Sequence, residues 1–582
     1  MATRNQDYIP ELSLKTTASS ISTSTSNAWS NQDGDTDSDL LCPPRQDEYL
    51  YGVRLILLLL SLMLGVFLLA LDMSILGNAI PSITRSFHSL SDVTWYSSTF
   101  SLALAPLQSA YGKAYRYFDQ KNTFLTSIAI FETGSLLSAL APNSPVLIIG
   151  RAVTGVGGGG IITGAFSIIA GVAPPRRVPI CMSLLGVTFG FASIVGPLLG
   201  GALTSGPGWR WCFWINLPLG AVAAAVITIV FVTPRAANPP VGISTRGKFL
   251  QMDPAGVVLV IIFEVSFVLA MQLGGENGGD FSHPICKGAL VVSAVALVAF
   301  ISLEWQLGER AMIQYRLLRK AVVSANMVVT FFVSAAYFPL MYILPIYFQS
   351  VKNASPSNSG LWSIPFILGV SVFVFISSSS MPRVHWTWWL VIGPGILTVG
   401  MGCLCTLDLN TPLANILGFQ LLTGVGIGLV LQVPIAANQA LVPSSDIPAV
   451  IGMTLFFETI GNILLGAAVE ASFVASLVGS VQKSSELASA GIGHSEILEA
   501  GAIGLRTLFP DNIAAILDCY MAGFTRALLI LMVCASASLL SACAALTIYL
   551  YRHRGPSPSD SNAMVMEEKK IDANRKAEIS TP

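Results

Sequence analysis

Six ionisable residues sit in stretches that are otherwise apolar: Asp72, Glu132, Arg151, Glu264, Glu458 and Glu470. A charge at membrane depth is costly unless it is paired or wetted, so each is a candidate for function. Asp72 and Arg151 make the most suggestive combination. Counted from the ends of their apolar runs, Asp72 lies about 12 Å and Arg151 about 8 Å inside the same boundary, so they fall at similar depth. A neighbouring cation favours the carboxylate, while burial favours the neutral acid. An aspartate held between those influences can take up or release a proton when the arginine moves. The plainer alternative is an ion pair that only ties two helices together. Glu458, with Gln432 and Asn462 nearby and Asn78 in the first apolar run, is a candidate for substrate contact. Glu264 fits a structural role, and Glu132 a helix interface.

The elements that carry these residues must be membrane spans. The chain has 582 residues, 53% hydrophobic and 11% charged, with mean hydropathy +0.68. Soluble proteins carry about 25% charged residues. A span needs about 20 apolar residues. That rule places about fourteen spans, near 52–80, 95–113, 122–141, 146–172, 179–204, 212–233, 254–273, 287–304, 322–348, 361–380, 388–406, 413–440, 447–478 and 525–551. The fold class expected is therefore all-α and polytopic. Residues 1–48 are polar and low in large apolar side chains, as expected of a disordered tail. Residues 552–582 form a second tail. The first apolar run begins near Leu55, so it reads as a retained signal anchor rather than a cleaved leader. The segment 479–524 is too polar to cross and reads as an exofacial loop with a surface helix near Ser495–Leu508.

Lys and Arg in short loops set orientation. Lys113, Arg116 and Lys121, then Arg176 and Arg177, then Arg235, Arg246 and Lys248, then Arg310, Arg316, Arg319 and Lys320 fall on one side. The alternate loops carry Arg85, Arg210, Lys287 and Lys352 singly. The rich side, and with it both termini, is expected to be cytoplasmic. Asn353-Ala354-Ser355 then forms a glycosylation sequon in an outside loop.

Glycines mark how the spans meet. Gly155/Gly159, Gly160/Gly164 and Gly186/Gly190 are each four residues apart, and small residues at that spacing let membrane helices approach closely. The frame Gly150–Gly159 recurs at Phe419–Gly428, shifted by 269 residues from Thr154 to Thr423. The same shift carries Pro174 onto Pro443 and Pro179 onto Pro448. Two similar halves with a path between them is a transporter plan, and the excess length fits two spans inserted between the halves.

Several motifs in this order resemble the major facilitator superfamily, in particular its fourteen-span drug–proton antiporters and the fungal-type toxin and multidrug exporters among them. The resemblance covers roughly residues 50–551. Leu71-Asp72-Met73-Ser74-Ile75-Leu76-Gly77-Asn78-Ala79-Ile80-Pro81 resembles the first-helix signature, and Arg151-x-x-x-Gly155-x-Gly157 the fourth-helix motif linked to proton coupling. Gly196-Pro197-Leu198-Leu199-Gly200-Gly201 is similar to the antiporter motif, a mark of exporters. Trp209–Pro218 resembles the start of the sixth span. Asp253-Pro254-x-Gly256 and Gly308–Ile313 flank the inserted spans as in that group. The loop Gly112–Lys121 departs from the pattern. Arg116 stands where an acid is expected, with Asp119 as a substitute, which puts a latch at this loop in doubt.

The resemblance implies two six-helix bundles, 49–233 and 321–551, with two inserted spans in 234–320. It implies a proton-coupled exporter of small, largely apolar molecules at the plasma membrane, in which Asp72 and Arg151 couple protons. Gly196, Pro197, Gly200 and Gly201 would limit leak. A vacuolar importer of basic amino acids, a siderophore carrier and a transporter-like receptor are the alternatives. The chain shows no Gly-x-x-x-x-Gly-Lys-Ser/Thr sequence, so the expected energy source is a proton gradient with no cofactor and no metal. A net charge of −1 argues against a nucleic-acid partner. The remaining partners expected are the bilayer, protons and a small substrate, with the chain a monomer.

Overall fold

The computed structural model describes residues 49–87, 92–233 and 242–553. The tail 1–48, and the second tail from 554 onward, lie outside the described residues. The first half comprises α1 (Gly52–Phe87), α2 (Val93–Tyr117), α3 (Gln120–Ala139), α4 (Ser144–Val172) and α5 (Val178–Ser205). A short α6 (Trp211–Trp214) then runs into α7 (Asn216–Val230). A surface helix, α8 (Thr245–Gln251), precedes the inserted pair α9 (Pro254–Glu276) and α10 (Pro284–Leu307). The second half follows a short α11 (Tyr315–Leu318) with α12 (Ala321–Ser350), α13 (Pro356–Trp362), α14 (Ile364–Ser380) and α15 (Trp386–Leu404). It closes with α16 (Leu413–Val430), α17 (Val433–Ala440), α18 (Ile447–Lys483), α19 (Ser485–Ser489), α20 (His494–Leu508) and α21 (Ile513–His553).

Among the described residues, twelve helical segments are long and apolar enough to cross a membrane. Two more helices, α2 with 25 residues and α3 with 20, have the length of a span but a more polar sequence. Several of their polar groups are buried: Tyr96, Gln108, Ser109 and Lys113 of α2, and Gln120, Ser127 and Ser135 of α3.

The run 413–440 spans as expected, with a turn at Leu431 and Gln432 between α16 and α17, ahead of Pro434, whose missing N–H removes a helical hydrogen bond. The sixth apolar run has a similar turn at Ile215, where the backbone stays helical. One boundary differs from the sequence expectation. The last helix starts at Ile513 rather than near 525, which shortens the polar connection. The surface helix expected there is present as α20, and it is no free loop. Ile497 and Leu505 are fully buried in the core of the second half with Tyr347 and Phe524.

Glycines set the helix spacing in both halves, and in matching ways. Side chains added at Gly155 and Gly159 would strike the carbonyls of Phe100 and Leu104 on α2. At Gly157 one would collide with the backbone of Phe131 on α3. In the second half Gly424 faces the carbonyl of Phe366, Gly428 that of Val370, and Gly426 the backbone of Leu397. The repeat read from the sequence is thus a repeat of backbone contacts. Gly186 and Gly190 lie between the halves, against Gln432 and Val374, and against Ser371.

Candidate functional site

Asp72 and Arg151 meet. The Nη1 of Arg151 forms an ion pair with Oδ2 of Asp72, and both side chains are buried. Arg151 also donates from Nε to the carbonyl of Tyr96 at 3.0 Å, and its guanidinium lies 4.9 Å from the ring centroid of Phe100. Asp72 accepts a second bond, at 3.2 Å from Nδ2 of Asn216 on α7, and the same nitrogen lies 3.2 Å from the Oγ of Ser135 on α3. The carboxylate therefore has two donors and a full counter-charge. The sequence places Asn216 in the Trp209–Pro218 motif without assigning it a role; the packing of α7 on α1 brings it to Asp72.

Glu132 lies close behind this pair. Both of its carboxylate oxygens are buried without a hydrogen-bond partner among the described residues. A side chain at Gly220 would run into them. Glu264 is fully buried in α9 with both oxygens likewise unpartnered. Glu470 is on the exposed surface of α18.

A cavity lies between the two halves. It is lined from the first half by Leu69, Met73, Gln108, Phe166 and Phe189 among others, and from the second by Tyr337, Phe338, Gln432, Glu458, Thr459 and Asn462. Its cavity volume is about 90 Å³, and it is partly open to solvent. Three of the four expected cavity residues, Gln432, Glu458 and Asn462, are there. The side chain of the fourth, Asn78, lies outside the described residues. Met73 lines the wall, and Asp72, the residue before it on α1, turns its side chain to Arg151 and Asn216. Glu458 is the one carboxylate in the lining, and its backbone carbonyl accepts from Ser334 at 2.6 Å. Phe189 and Phe338 face each other across the halves with ring centroids 6.2 Å apart. Of the aromatics of α12, Tyr342 is exposed, and Tyr347 donates to the carbonyl of Asp408 at 2.9 Å. Tyr337 and Phe338 are the two from that helix that reach the cavity.

The antiporter-like motif packs α5 on α1. Gly196 leaves room for Ser74, whose hydroxyl donates to the carbonyl of Ala192 at 3.2 Å. Pro197 lies inside α5, and Gly200 accepts from Thr204 through its carbonyl. Gly200 is buried and Gly201 half-buried. Asn353 is exposed in the turn after α12, at a left-handed φ of 53°.

The basic-loop end carries an ion-pair bridge between the halves, called the latch below, whose acid comes from outside the loop. Asp119 caps α3, accepting from the N–H of Asn122 at 2.8 Å, and does not join the latch. Arg116 instead reaches across the halves to Oδ1 of Asp446 at 2.7 Å. Arg316 clamps the same carboxylate at 2.7 and 3.0 Å, and these bonds raise the Arg316 pKa above its ordinary value. The crossing is tight: a side chain at Gly112 would meet the carbonyl of Pro448, and one at Gly452 that of Gln108.

The two flanking motifs of the inserted spans meet in the same region. Asp253 accepts from the N–H groups of Gly256 and Met312 at 2.9 and 3.1 Å. Glu304 accepts from Met312 and Ile313 at 3.0 and 2.7 Å. Ser109 and Lys113 of α2 donate to the carbonyls of Met312 and Ala311. The segment after α10 is thereby fastened to the first half, and Arg316 extends from it to the latch.

A family model described as Major Facilitator Superfamily matches residues 62–466. Among curated relatives, "MFS-type transporter grgE" of a Penicillium species is 38% identical over 82% of this chain and 84% of its own length. "Efflux pump aflT" of Aspergillus parasiticus is 35% identical over 85% of this chain and 96% of its own. Among solved structures, the human organic anion transporter MFSD10 (TETRAN) aligns with a TM-score of 0.50 at 12% identity, covering 81% of this chain and 100% of that one. The proton:xylose symporter XylE aligns with a TM-score of 0.50 at 16% identity, covering 78% of this chain and 95% of that one.

Proposed function

The chain belongs to the major facilitator superfamily, a family of transporters rather than enzymes, and from that premise we propose that it is a proton-coupled exporter of small, largely apolar organic molecules. The observation that carries this reading is the buried Asp72–Arg151 pair, whose Asp72 precedes on α1 the Met73 that lines a cavity shared by both halves. A titratable carboxylate held by an arginine beside the substrate path lets one event be felt by the other, which is the requirement for coupling. Curated relatives that match most of the chain are named as efflux pumps, which supports the outward direction of transport.

The cavity chemistry supports the substrate class. Its walls are mostly aliphatic and aromatic, with Glu458 as the one carboxylate and Gln108, Gln432, Thr459 and Asn462 as neutral polar groups. Such a lining suits an apolar body carrying a hydrogen-bond donor or a single positive charge. A basic amino acid, polar at both ends, suits it poorly. In this reading the twelve apolar helices together with α2 and α3 make fourteen spans. Both termini and the latch are cytoplasmic, Asn353 faces outward where it can carry a glycan, and the chain works as a monomer in the plasma membrane. Alternating access then requires the Arg116–Asp446 latch to break when the cavity opens inward.

Comparison of metabolites in cells lacking the protein, and in their medium, tests the function. A self-made compound retained inside deletion cells and restored to the medium by the intact gene is the expected result. Unchanged metabolites with altered drug sensitivity would point to a broad drug pump. A vacuolar location of a fluorescently tagged chain, with depletion of a vacuolar solute on deletion, would overturn export.

A further inference from the structure

We propose that Glu132 is the second carboxylate of the coupling site and holds a proton while Asp72 is paired with Arg151. This deepens the proton-coupled reading above and rests on it for its role in transport, though not for the presence of the proton. The geometry sets up an imbalance. Asp72 accepts from Arg151 and from Asn216. Glu132 has no donor at either oxygen, although both are buried. Asp72 occupies the guanidinium, and a second bare negative charge, on Glu132, in a membrane-embedded interior is expensive. A proton on Glu132 removes that charge: an O–H bond forms on one oxygen, and no other reactant is needed.

The two acids are joined by one layer of polar groups. Glu132 and Ser135 are three residues apart on α3, and therefore share a face. Asn216 and Gly220 are four apart on α7 and also share a face. Asn216 bonds Ser135 and Asp72 with one nitrogen, while Glu132 fills the space left by the missing side chain of Gly220. The Oδ1 of Asn216 is a third buried acceptor without a donor. All three orphans in this layer are acceptors, and a proton on Glu132 turns one of them into a donor.

The charged and titratable groups around Glu132 are few. Helix α1 contributes Asp72, which acts on Glu132 electrostatically, and α4 and α6, which pack on α3, carry the buried Arg151 and Cys212. Helix α7 has no titratable side chain. Helix α2 brings Tyr111 and Tyr115 to α3 near Ser127 and Phe124, more than a turn from Glu132. The charge felt at Glu132 is that of Asp72, so the proton on Glu132 responds to the state of the Asp72–Arg151 pair.

Infrared difference spectroscopy of the purified full-length protein, titrated with pH in the absence of substrate, reads this directly. The carbonyl stretch of protonated carboxylic acids in the wild type is expected to lose one component at neutral pH in Glu132→Gln. In Glu132→Asp, which keeps the acid should Glu132→Gln fail to fold, that component is expected to shift in frequency and persist. In Asp72→Asn, Arg151 loses its carboxylate, so the Glu132 component is expected to vanish at neutral pH and return at lower pH. A purely structural Glu132 would not follow Asp72 in this way. Unchanged carboxylic-acid bands in both Glu132 variants would overturn the inference, as would a Glu132 component indifferent to Asp72→Asn. Because no transport is measured, this result stands or falls apart from proton-coupled export.

Discussion

Arg151 and Gln420 occupy matching positions in the two halves and make the same contact. Nε of Arg151 donates to the carbonyl of Tyr96 at 3.0 Å, and Nε2 of Gln420 donates to the carbonyl of Trp362 at 2.7 Å. The helices around them match as well, through Gly155 on Phe100 and Gly424 on Phe366. The scaffold is therefore duplicated, while the charge is confined to the first half. Gln420 meets its carbonyl without needing a carboxylate. Arg151 does the same and has a second, charged partner in Asp72.

That difference predicts an asymmetric tolerance. Gln420→Arg puts a guanidinium where no partner carboxylate has been identified, and an unpaired arginine at membrane depth costs about 3 kcal/mol. Thermal unfolding in detergent is expected to show a clear drop in midpoint for Gln420→Arg. A small change is expected for Gln420→Met, which loses one hydrogen bond worth about 1 kcal/mol. Equal midpoints for the two variants would contradict the assignment.

The glycine contacts predict a paired pattern of instability. Gly157→Ala and Gly426→Ala each drive a methyl group into the backbone of a neighbouring helix. Overpacking of this kind costs about 1–3 kcal/mol. Gly77→Ala and Gly402→Ala meet open space and are expected to leave the unfolding midpoint and membrane yield near wild type. The same thermal assay on the four variants checks this.

Much of this was legible in the sequence because it depends on period and composition. The glycine frame, its 269-residue echo and the Asp72–Arg151 depth match all rest on regular helices, where spacing translates into geometry. The glycine face then proved to be several faces: Gly155 and Gly159 serve α2, Gly157 serves α3, and Gly158 meets Leu69 of α1. What was not legible depends on contacts between distant segments. Asn216 reaches Asp72 because α7 packs on α1, a pairing of segments 144 residues apart. Asp446 pairs with Arg116 across 330 residues, a separation with no local signature. Reading Gly112–Lys121 alone left the latch in doubt because its acid comes from the other half.

The latch predicts a shift in conformation. Asp446→Asn removes the charge that holds Arg116 and Arg316, a loss of about 2 kcal/mol for charge-assisted bonds. Its expected effect is to populate the state open at the basic-loop end. Spin labels on the ends of α2 and α18 are expected to show a longer distance component in Asp446→Asn than in wild type. Arg316→Gln, which keeps the Arg116 contact, is expected to fall between them. An unchanged distance distribution in Asp446→Asn would show that Gly112 and Gly452 close this end without the ion pairs.

The cavity predicts a change in selectivity through Glu458. Glu458→Gln keeps the shape and removes the one carboxylate of the lining. Export of cationic dyes from whole cells is expected to fall by about tenfold, roughly the worth of one charge-assisted contact, with export of neutral apolar dyes little changed. Equal loss for both dye classes would mean that Glu458 supports the helix rather than the substrate.

The central claim is that Asp72, through its pairing with Arg151, couples transport to protons. The direct measurement is transport by membrane vesicles, driven by an imposed pH gradient, of the compound that deletion cells retain. Wild type and Asp72→Asn are compared at equal amounts in the membrane. The account predicts that Asp72→Asn loses uphill transport driven by the gradient and keeps downhill exchange of the compound, since the cavity is intact. Full gradient-driven transport by Asp72→Asn would contradict it.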